Sequence, residues 1–186
     1  MNDLVLPLEF SGGGAAAASE AAGGTLVGIL TAKGINWIEV KAEGQAESKR
    51  YIPEWRGGMP ENGGGPDEQT LAAIKRLPVS NLVRMDWTET EGHLRVLKIE
   101  MIAPEQKEGA AEGTVVARGD AWIDVKPAQG YTERYMPRWI GGMPKDGGGL
   151  DRDMLRALGQ LKVGDAVRVR WVYDERKRVV EVQVAR

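Results

Sequence analysis

Residues 51–65 read YIPEWRGGMPENGGG, and residues 135–149 read YMPRWIGGMPKDGGG. The likeness extends beyond them, because residues 50–87 align with residues 134–171 without a gap and 19 of the 38 paired positions are identical. Such self-similarity at a fixed spacing indicates a duplicated structural unit. We therefore expect two small domains of the same fold.

Each glycine-rich stretch lies between a strand-like run and a helix-like run. In the first copy Ile38 and Val40 alternate with polar residues, which is the period of a half-buried strand. Asp67 is a suitable N-cap for a helix that Pro78 ends. Each copy is thus predicted to contain three strands, a helix and two strands. The expected organisation is an N-terminal arm and tether at residues 1–23, a first domain at residues 24–102, a linker at residues 103–112 and a second domain at residues 113–186.

Five strands with one helix between the third and the fourth is the element order of an OB-fold barrel. The chain therefore resembles a tandem OB-fold protein at the level of element order, over about 150 of its 186 residues. The resemblance implies a mainly β (β-rich α+β) fold with two tandem five-stranded OB-like barrels. A five-stranded SH3-like barrel is the nearest alternative, although it normally lacks a helix of ten residues at that place.

The composition limits the chemistry that the protein can perform. The chain has no cysteine and one histidine, His93, which excludes thiolate nucleophiles, disulfide bonds and His-rich metal sites. No pair of carboxylates stands out in an apolar context, so we expect no catalytic residue, no cofactor and no metal. The protein is predicted to be a non-enzymatic binding or assembly module that contacts a protein partner or itself.

An apolar arm precedes the first copy, followed by a Gly/Ala-rich tether at residues 11–24. Its apolar residues are Leu4, Val5, Leu6, Leu8 and Phe10. Either the arm packs on its own domain or stays disordered, or it docks as a strand on the open edge of a neighbouring molecule. No run reaches the ~18 apolar residues of a membrane span, and the first ten residues lack the basic start of a signal peptide. As it stands, the sequence predicts a cytoplasmic protein, or an exported one if a signal peptide was removed.

The repeated stretch allows three interpretations. In the first, its large apolar residues plug a barrel end; in the second, they bind a ligand or partner with tyrosines as stacking platforms. In the third, the glycines cradle a phosphate at the helix N-terminus, although Asp67 and Asp151 stand where the anion would bind. The candidate binding residues are Arg50, Tyr51, Trp55 and Met59 in the first copy and Arg134, Tyr135, Trp139 and Met143 in the second.

The other four tryptophans also form matched pairs. Trp87 and Trp171 share the parity of apolar residues in their strands, so they are predicted core residues. Trp37 and Trp122 share the parity of charged residues. This pair is predicted either to be exposed at a contact surface or to be buried where the two domains meet.

The two copies differ in charge. Residues 113–186 carry 14 basic and 10 acidic side chains, a net +4, whereas residues 24–104 carry 10 and 11, a net −1. The last two predicted strands of the second copy contain the basic residues Arg168, Arg170, Arg176, Lys177 and Arg178. This set predicts either a face for single-stranded nucleic acid or a solvated basic hairpin. Saccharide binding through the loop tryptophans is a further alternative.

Overall fold

The computed structural model describes residues 22–185. The predicted docking arm at residues 4–10 therefore lies outside the described residues. The elements of the first repeat are β1 (Gly23–Lys33), β2 (Ile38–Ala42), β3 (Lys49–Pro53), β4 (Trp55–Arg56), β5 (Gly65–Pro66), α1 (Glu68–Arg76), β6 (Leu82–Thr90) and β7 (His93–Met101). Those of the second repeat are β8 (Glu108–Gly119), β9 (Trp122–Pro127), β10 (Glu133–Pro137), β11 (Trp139–Ile140), β12 (Gly149–Leu150), α2 (Arg152–Gln160), β13 (Ala166–Asp174) and β14 (Arg176–Val184).

Each repeat forms a closed five-stranded barrel, which confirms the predicted fold class. The first barrel has the strand order β1-β2-β3-β7-β6, and the second barrel has the equivalent order β8-β9-β10-β14-β13. Neighbouring strands are antiparallel except for the pairs β3–β7 and β10–β14, which are parallel. In each barrel the helix lies between the third and the fourth barrel strand, as in an OB-like barrel.

The core of each barrel is filled by alternate strand residues and one face of the helix, because successive strand side chains point to opposite sides of a sheet. In the second barrel Trp171 is buried, and in the first Trp87 packs partly buried against the core, which confirms the predicted place of this pair. The most deeply buried members of the two cores, each at most 3% exposed, are Leu30, Ile38, Val40, Tyr51, Ile74, Val83, Met85 and Val96 in the first barrel and Val115, Ile123, Val125, Tyr135, Leu158, Val167, Val169 and Val179 in the second.

Both helices begin at the predicted aspartates. The Asp67 carboxylate accepts hydrogen bonds from the Thr70 amide and hydroxyl, and Asp151 caps α2 by accepting the Asp153 and Met154 amides. At the other end, Lys33 Nζ donates to carbonyls of the last turn of α1, as the charge at a helix C-terminus favours. Within residues 22–185 neither helix is long and apolar enough to cross a membrane.

Strand β8 begins inside the segment predicted to be a linker. It starts at Glu108, and Glu112 lies opposite Arg168 while Ala110 lies opposite Arg170. The sequence of residues 108–112 does not predict this part of the strand, because it lacks alternating large apolar residues. Its residues alternate between exposed and half-buried positions. The connection that remains between the barrels is residues 102–107.

Candidate functional site

Each repeat carries a two-stranded ribbon between the third barrel strand and the helix. In the first ribbon (residues 54–66) β4 pairs with β5, and in the second ribbon (residues 138–150) β11 pairs with β12. A single 3-10 turn closes each ribbon, at Pro60–Asn62 and at Pro144–Asp146. The repeated sequence stretch is therefore an element of its own, outside the barrel sheet.

The glycines of the ribbons are explained by the path of the backbone. A Cβ on Gly64 would lie 1.7 Å from the carbonyl oxygen of Gly58, so the chain can pass here only with glycine. Gly63 ends the turn with a φ of 83°, which an L-residue rarely adopts. The second ribbon has the same close contact and the same φ at the matching glycines.

The large apolar side chains of the ribbons are exposed. Trp55 and Trp139 expose 43% and 49% of their surface, and Met59 and Met143 each expose 62%. Each indole N–H donates to a ribbon carbonyl, at 3.0 Å in the first ribbon and 3.1 Å in the second, so the ring faces are what the ribbons present. The interpretation that these residues plug a barrel end is wrong, because all four are exposed and none belongs to either core cluster.

Glycine and proline make up most of the identical positions in the two repeated stretches. Of the 15 positions in residues 51–65, ten match the second copy, and seven of these are glycine or proline. The remaining three are tyrosine, tryptophan and methionine, and only the tyrosine is buried. The backbone of Met59 accepts two amide hydrogen bonds, which any residue can do, while its side chain extends into solvent.

The ribbons differ in apolar character at one pair of exposed positions, Arg56 and Ile140. In the first, Arg56 Nε lies 3.0 Å from Asp67 Oδ1, whereas Ile140 takes the place of this arginine in the second and is half exposed. A role for Ile140 was not predicted from the sequence. The alignment of the two copies could have indicated one, because an apolar residue there aligns with Arg56. The hydrogen bonds from Thr70, and then the charge of Arg56, hold the pKa of Asp67 below its usual value. This helix end holds a carboxylate, so the phosphate cradle is excluded there.

The tyrosines predicted as stacking platforms are core residues instead. Tyr51 and Tyr135 are 3% and 1% exposed, because they lie opposite the inward-facing Ile38 and Ile123 on the neighbouring strands. The Tyr135 hydroxyl donates to Glu133 Oε2 at 2.9 Å, and burial together with that carboxylate raises the pKa of Tyr135. Neither tyrosine therefore presents an exposed ring face on which a ligand could stack.

The predicted arginines stack on the tryptophans of the neighbouring strand. In the first barrel the Arg50 guanidinium lies 4.1 Å from the Trp37 ring centroid, and its Nη2 lies 2.7 Å from Glu39 Oε1. This group is at the surface, with 58% of the Arg50 side chain exposed. Trp37 is half-buried beneath it, so the exposed contact surface predicted for this tryptophan is covered by its own arginine.

The equivalent group of the second barrel is buried. The Arg134 guanidinium lies 3.5 Å from the Trp122 centroid and makes a bidentate pair with Asp124, at 2.7 and 3.0 Å. Asp124 has no exposed surface, and Lys41 of the first barrel approaches it to 3.4 Å. On the face formed by β9 and β10, Asp124 and Arg134 are thus buried, and Lys41 of the first barrel reaches this face.

Further polar contacts join the two barrels. Glu43 of the first barrel accepts hydrogen bonds from Lys126 Nζ at 2.7 Å and from the Thr132 amide at 2.8 Å. Asn81 donates to the Glu175 carbonyl at 2.6 Å. Burial raises the pKa of Glu43, but the bonds from Lys126 and Thr132 outweigh it and leave the pKa lowered. A cleft of about 450 Å³ lies beside this network. No sequence pattern marked these residues, because their partners are distant in the chain.

The basic residues of the second copy do not form one face. Arg168 and Arg170 are exposed on β13, where each has a carboxylate within 3.5 Å. Arg178 donates to the Pro137 carbonyl, and burial lowers its pKa. Lys177 lies over the Trp171 ring at 4.2 Å, and Arg176 pairs with the adjacent Glu175. Nucleic-acid binding by this set stays a prediction without an assembled surface.

Comparisons of the chain with protein-family models, with curated proteins and with solved structures gave no significant match. In the part of the chain that the structure describes, no three His, Cys, Asp or Glu side chains come together as a metal site. The candidate site is therefore defined by geometry alone, and it consists of the two exposed ribbons.

Proposed function

We propose that the protein is a non-enzymatic binding module, related to OB-fold proteins, that contacts a partner protein through its two ribbons. The observation that carries the proposal is the exposure of a tryptophan and a methionine at the same place in both repeats. Tryptophan and methionine are enriched at protein interfaces, where a rigid ring and an adaptable thioether fill apolar pockets. In the second ribbon Ile140 extends this apolar surface.

The ribbons are favoured over the barrel faces because the charged side chains of those faces already pair with each other. OB-fold proteins commonly bind ligands on the face of their second and third strands. In the second barrel Arg134 and Asp124 form a buried pair on that face, and Lys41 of the first barrel contacts Asp124. In the first barrel, Arg50 and Glu39 pair across it.

Two similar ribbons on one chain also suit a bivalent contact. Once the first ribbon has bound, the second ribbon is held close to its own site on the partner. The high effective concentration of this second ribbon raises the overall affinity without a new contact. The partner that fits best is therefore one that presents two apolar pockets, or an assembly with repeated copies of one pocket.

The experiment compares ribbon variants with a surface control in extracts of cells that produce the protein. We expect the tagged full chain to elute in a complex larger than its own 20.3 kDa. The variant Trp55→Ser/Met59→Ser/Trp139→Ser/Met143→Ser should elute as the free chain. The control Ile35→Ser/Val163→Ser removes two exposed apolar residues outside the ribbons and should stay in the complex. A complex that the ribbon variant retains would refute the proposal.

Saccharide binding is the second candidate function, because each ribbon presents an exposed indole face whose N–H is already bonded to the ribbon. A sugar that stacks on Trp55 or Trp139 should quench tryptophan emission, and the variant Trp55→Ser/Trp139→Ser should lose that quenching. The apolar neighbours Met59, Met143 and Ile140 favour a protein over a sugar, because they offer no hydrogen-bonding group.

A further inference from the structure

The two barrels differ at the end where the buried tyrosines lie. In the second barrel Lys177 Nζ lies 5.6 Å from the Tyr135 ring centroid and 4.2 Å from the Trp171 centroid. The same ammonium group forms an ion pair with Glu133, which also accepts the Tyr135 hydroxyl bond. This lysine and this glutamate close the barrel end over the two rings.

The first barrel lacks that closure. The strand registers place Leu94 where the second barrel has Lys177, and Lys49 where it has Glu133. Lys49 is exposed, and burial alone raises the pKa of Tyr51, whose hydroxyl has no carboxylate beside it. A cleft of about 280 Å³ lies open here instead. Its apolar lining includes the half-buried Leu26 and Trp87 and the buried Val40 and Tyr51, and its exposed polar residues are Gln45, Glu47 and Lys49.

One wall of the cleft is a strand with a free side. Residues 23–26 of β1 pair with β6, whereas the pairing of β1 with β2 begins only at Gly28. Within the described chain, the other side of residues 23–26 therefore faces the cleft without a strand partner. An extended segment that enters the cleft can hydrogen-bond to this edge and place alternate side chains on the apolar lining.

We propose that the arm at residues 4–10 docks in this cleft of its own chain, as a short added strand beside β1. The arm has five apolar residues, and the chain enters β1 at Gly23, which itself lines the cleft. The cleft is at the lower limit of small-molecule pockets, which span about 300–1,000 Å³, so it suits a few side chains. Pro7 removes one amide donor, which an edge strand tolerates.

The position of the arm in the sequence favours its own barrel over that of a second copy. Residues 11–22 are rich in glycine and alanine. Twelve such residues span roughly 19 Å as a random chain. A segment tied this closely meets the cleft at an effective concentration in the millimolar range, far above that of a second molecule in dilute solution. The proposal does not depend on the function of the ribbons.

A disulfide trap in the full-length chain tests the docking, because the chain has no cysteine of its own. The pair Leu8→Cys/Glu47→Cys puts one thiol in the arm and one at the cleft. We expect an intramolecular disulfide that forms about tenfold faster than in the same pair with Leu4, Leu6 and Phe10 changed to Ser, because those side chains then have no apolar area to bury. Equal rates would overturn the proposal, and so would a product that is mainly a disulfide-linked dimer.

Two further variants complete the test. The pair Leu8→Cys/Tyr131→Cys places the second thiol at the matching loop position of the second barrel, whose end is closed. Its disulfide should form about as slowly as in the trap variant with Leu4, Leu6 and Phe10 changed to Ser. The change Lys49→Glu/Leu94→Lys copies the closing pair of the second barrel into the first. When this change is added to the Leu8→Cys/Glu47→Cys pair, the rate of disulfide formation should fall to that of the variant with Leu4, Leu6 and Phe10 changed to Ser. A fast rate in either variant would contradict docking in the cleft.

Discussion

Lys41 of the first barrel lies 3.4 Å from Asp124 of the second, and it reaches a carboxylate that Arg134 already holds in a buried bidentate pair. A neighbouring contact uses a residue that the repeat does not share. Glu43 binds Lys126, but its counterpart in the second copy is Ala128. The second barrel therefore lacks the carboxylate that the first barrel supplies to the contact between them.

The two matching acidic residues should differ widely in their effect on stability. Asp124→Ala leaves the Arg134 charge buried without a partner, so we expect a loss of about 3–5 kcal/mol in the free energy of unfolding. Glu39→Ala removes the equivalent partner of the exposed Arg50 and should cost less than about 1 kcal/mol. Urea denaturation of both variants measures the difference. Similar losses of stability in the two variants would show that the pair of Asp124 and Arg134 is not buried in solution.

Removal of the Glu43 carboxylate should loosen the contact between the barrels. Glu43→Ala deletes the acceptor of the Thr132 amide and of Lys126, at a cost of about 1–2 kcal/mol. We expect faster hydrogen exchange at the Thr132 amide, with exchange in the barrel cores unchanged. Glu47→Ala changes an exposed carboxylate in the same loop and serves as the control. Unchanged exchange at Thr132 in the Glu43 variant would count against this interface.

The ribbon tryptophans should contribute little to stability. Trp139→Ala removes a half-exposed ring and should lower the free energy of unfolding by less than about 1 kcal/mol. Trp171→Ala, in the core of the same barrel, should cost about 3–5 kcal/mol. Thermal and urea unfolding give both values. A large loss in the Trp139 variant would mean that the ribbon residue is retained for folding and not for binding.

Asp67 should make the stability of the first repeat dependent on pH in the acid range. Its pKa is lowered in the folded state by the bonds from Thr70 and by Arg56, so its contribution is present above the unfolded pKa of about 3.9. It is lost as the pH falls through the lower, folded pKa. Asp67→Asn keeps an N-cap but does not ionise. Melting temperatures between about pH 2 and 5 should therefore fall less steeply in this variant; equal slopes would exclude the assignment.

The sequence alone was enough for the barrels but not for the surfaces. The repeat, the helix caps at Asp67 and Asp151 and the core position of Trp171 follow from local rules of period and capping. The exposure of Trp55 depends on where the glycines turn the chain out of the barrel. Hydrophobic periodicity does not predict the position of such a turn. The pairing of Lys41 with Asp124 joins residues 83 positions apart in the chain, and only the folded structure brings them together.

Site-specific photo-cross-linking tests the central claim most directly. A photoreactive amino acid would replace Met59 or Met143 in the full chain, in the cells that produce it, with Ile35 and Val163 as exposed control positions. The two ribbon positions should cross-link to the same partner protein, and the two control positions should not. Absence of a cross-linked product at both ribbon positions, or equal products at the control positions, would contradict the claim that the ribbons are the binding surface.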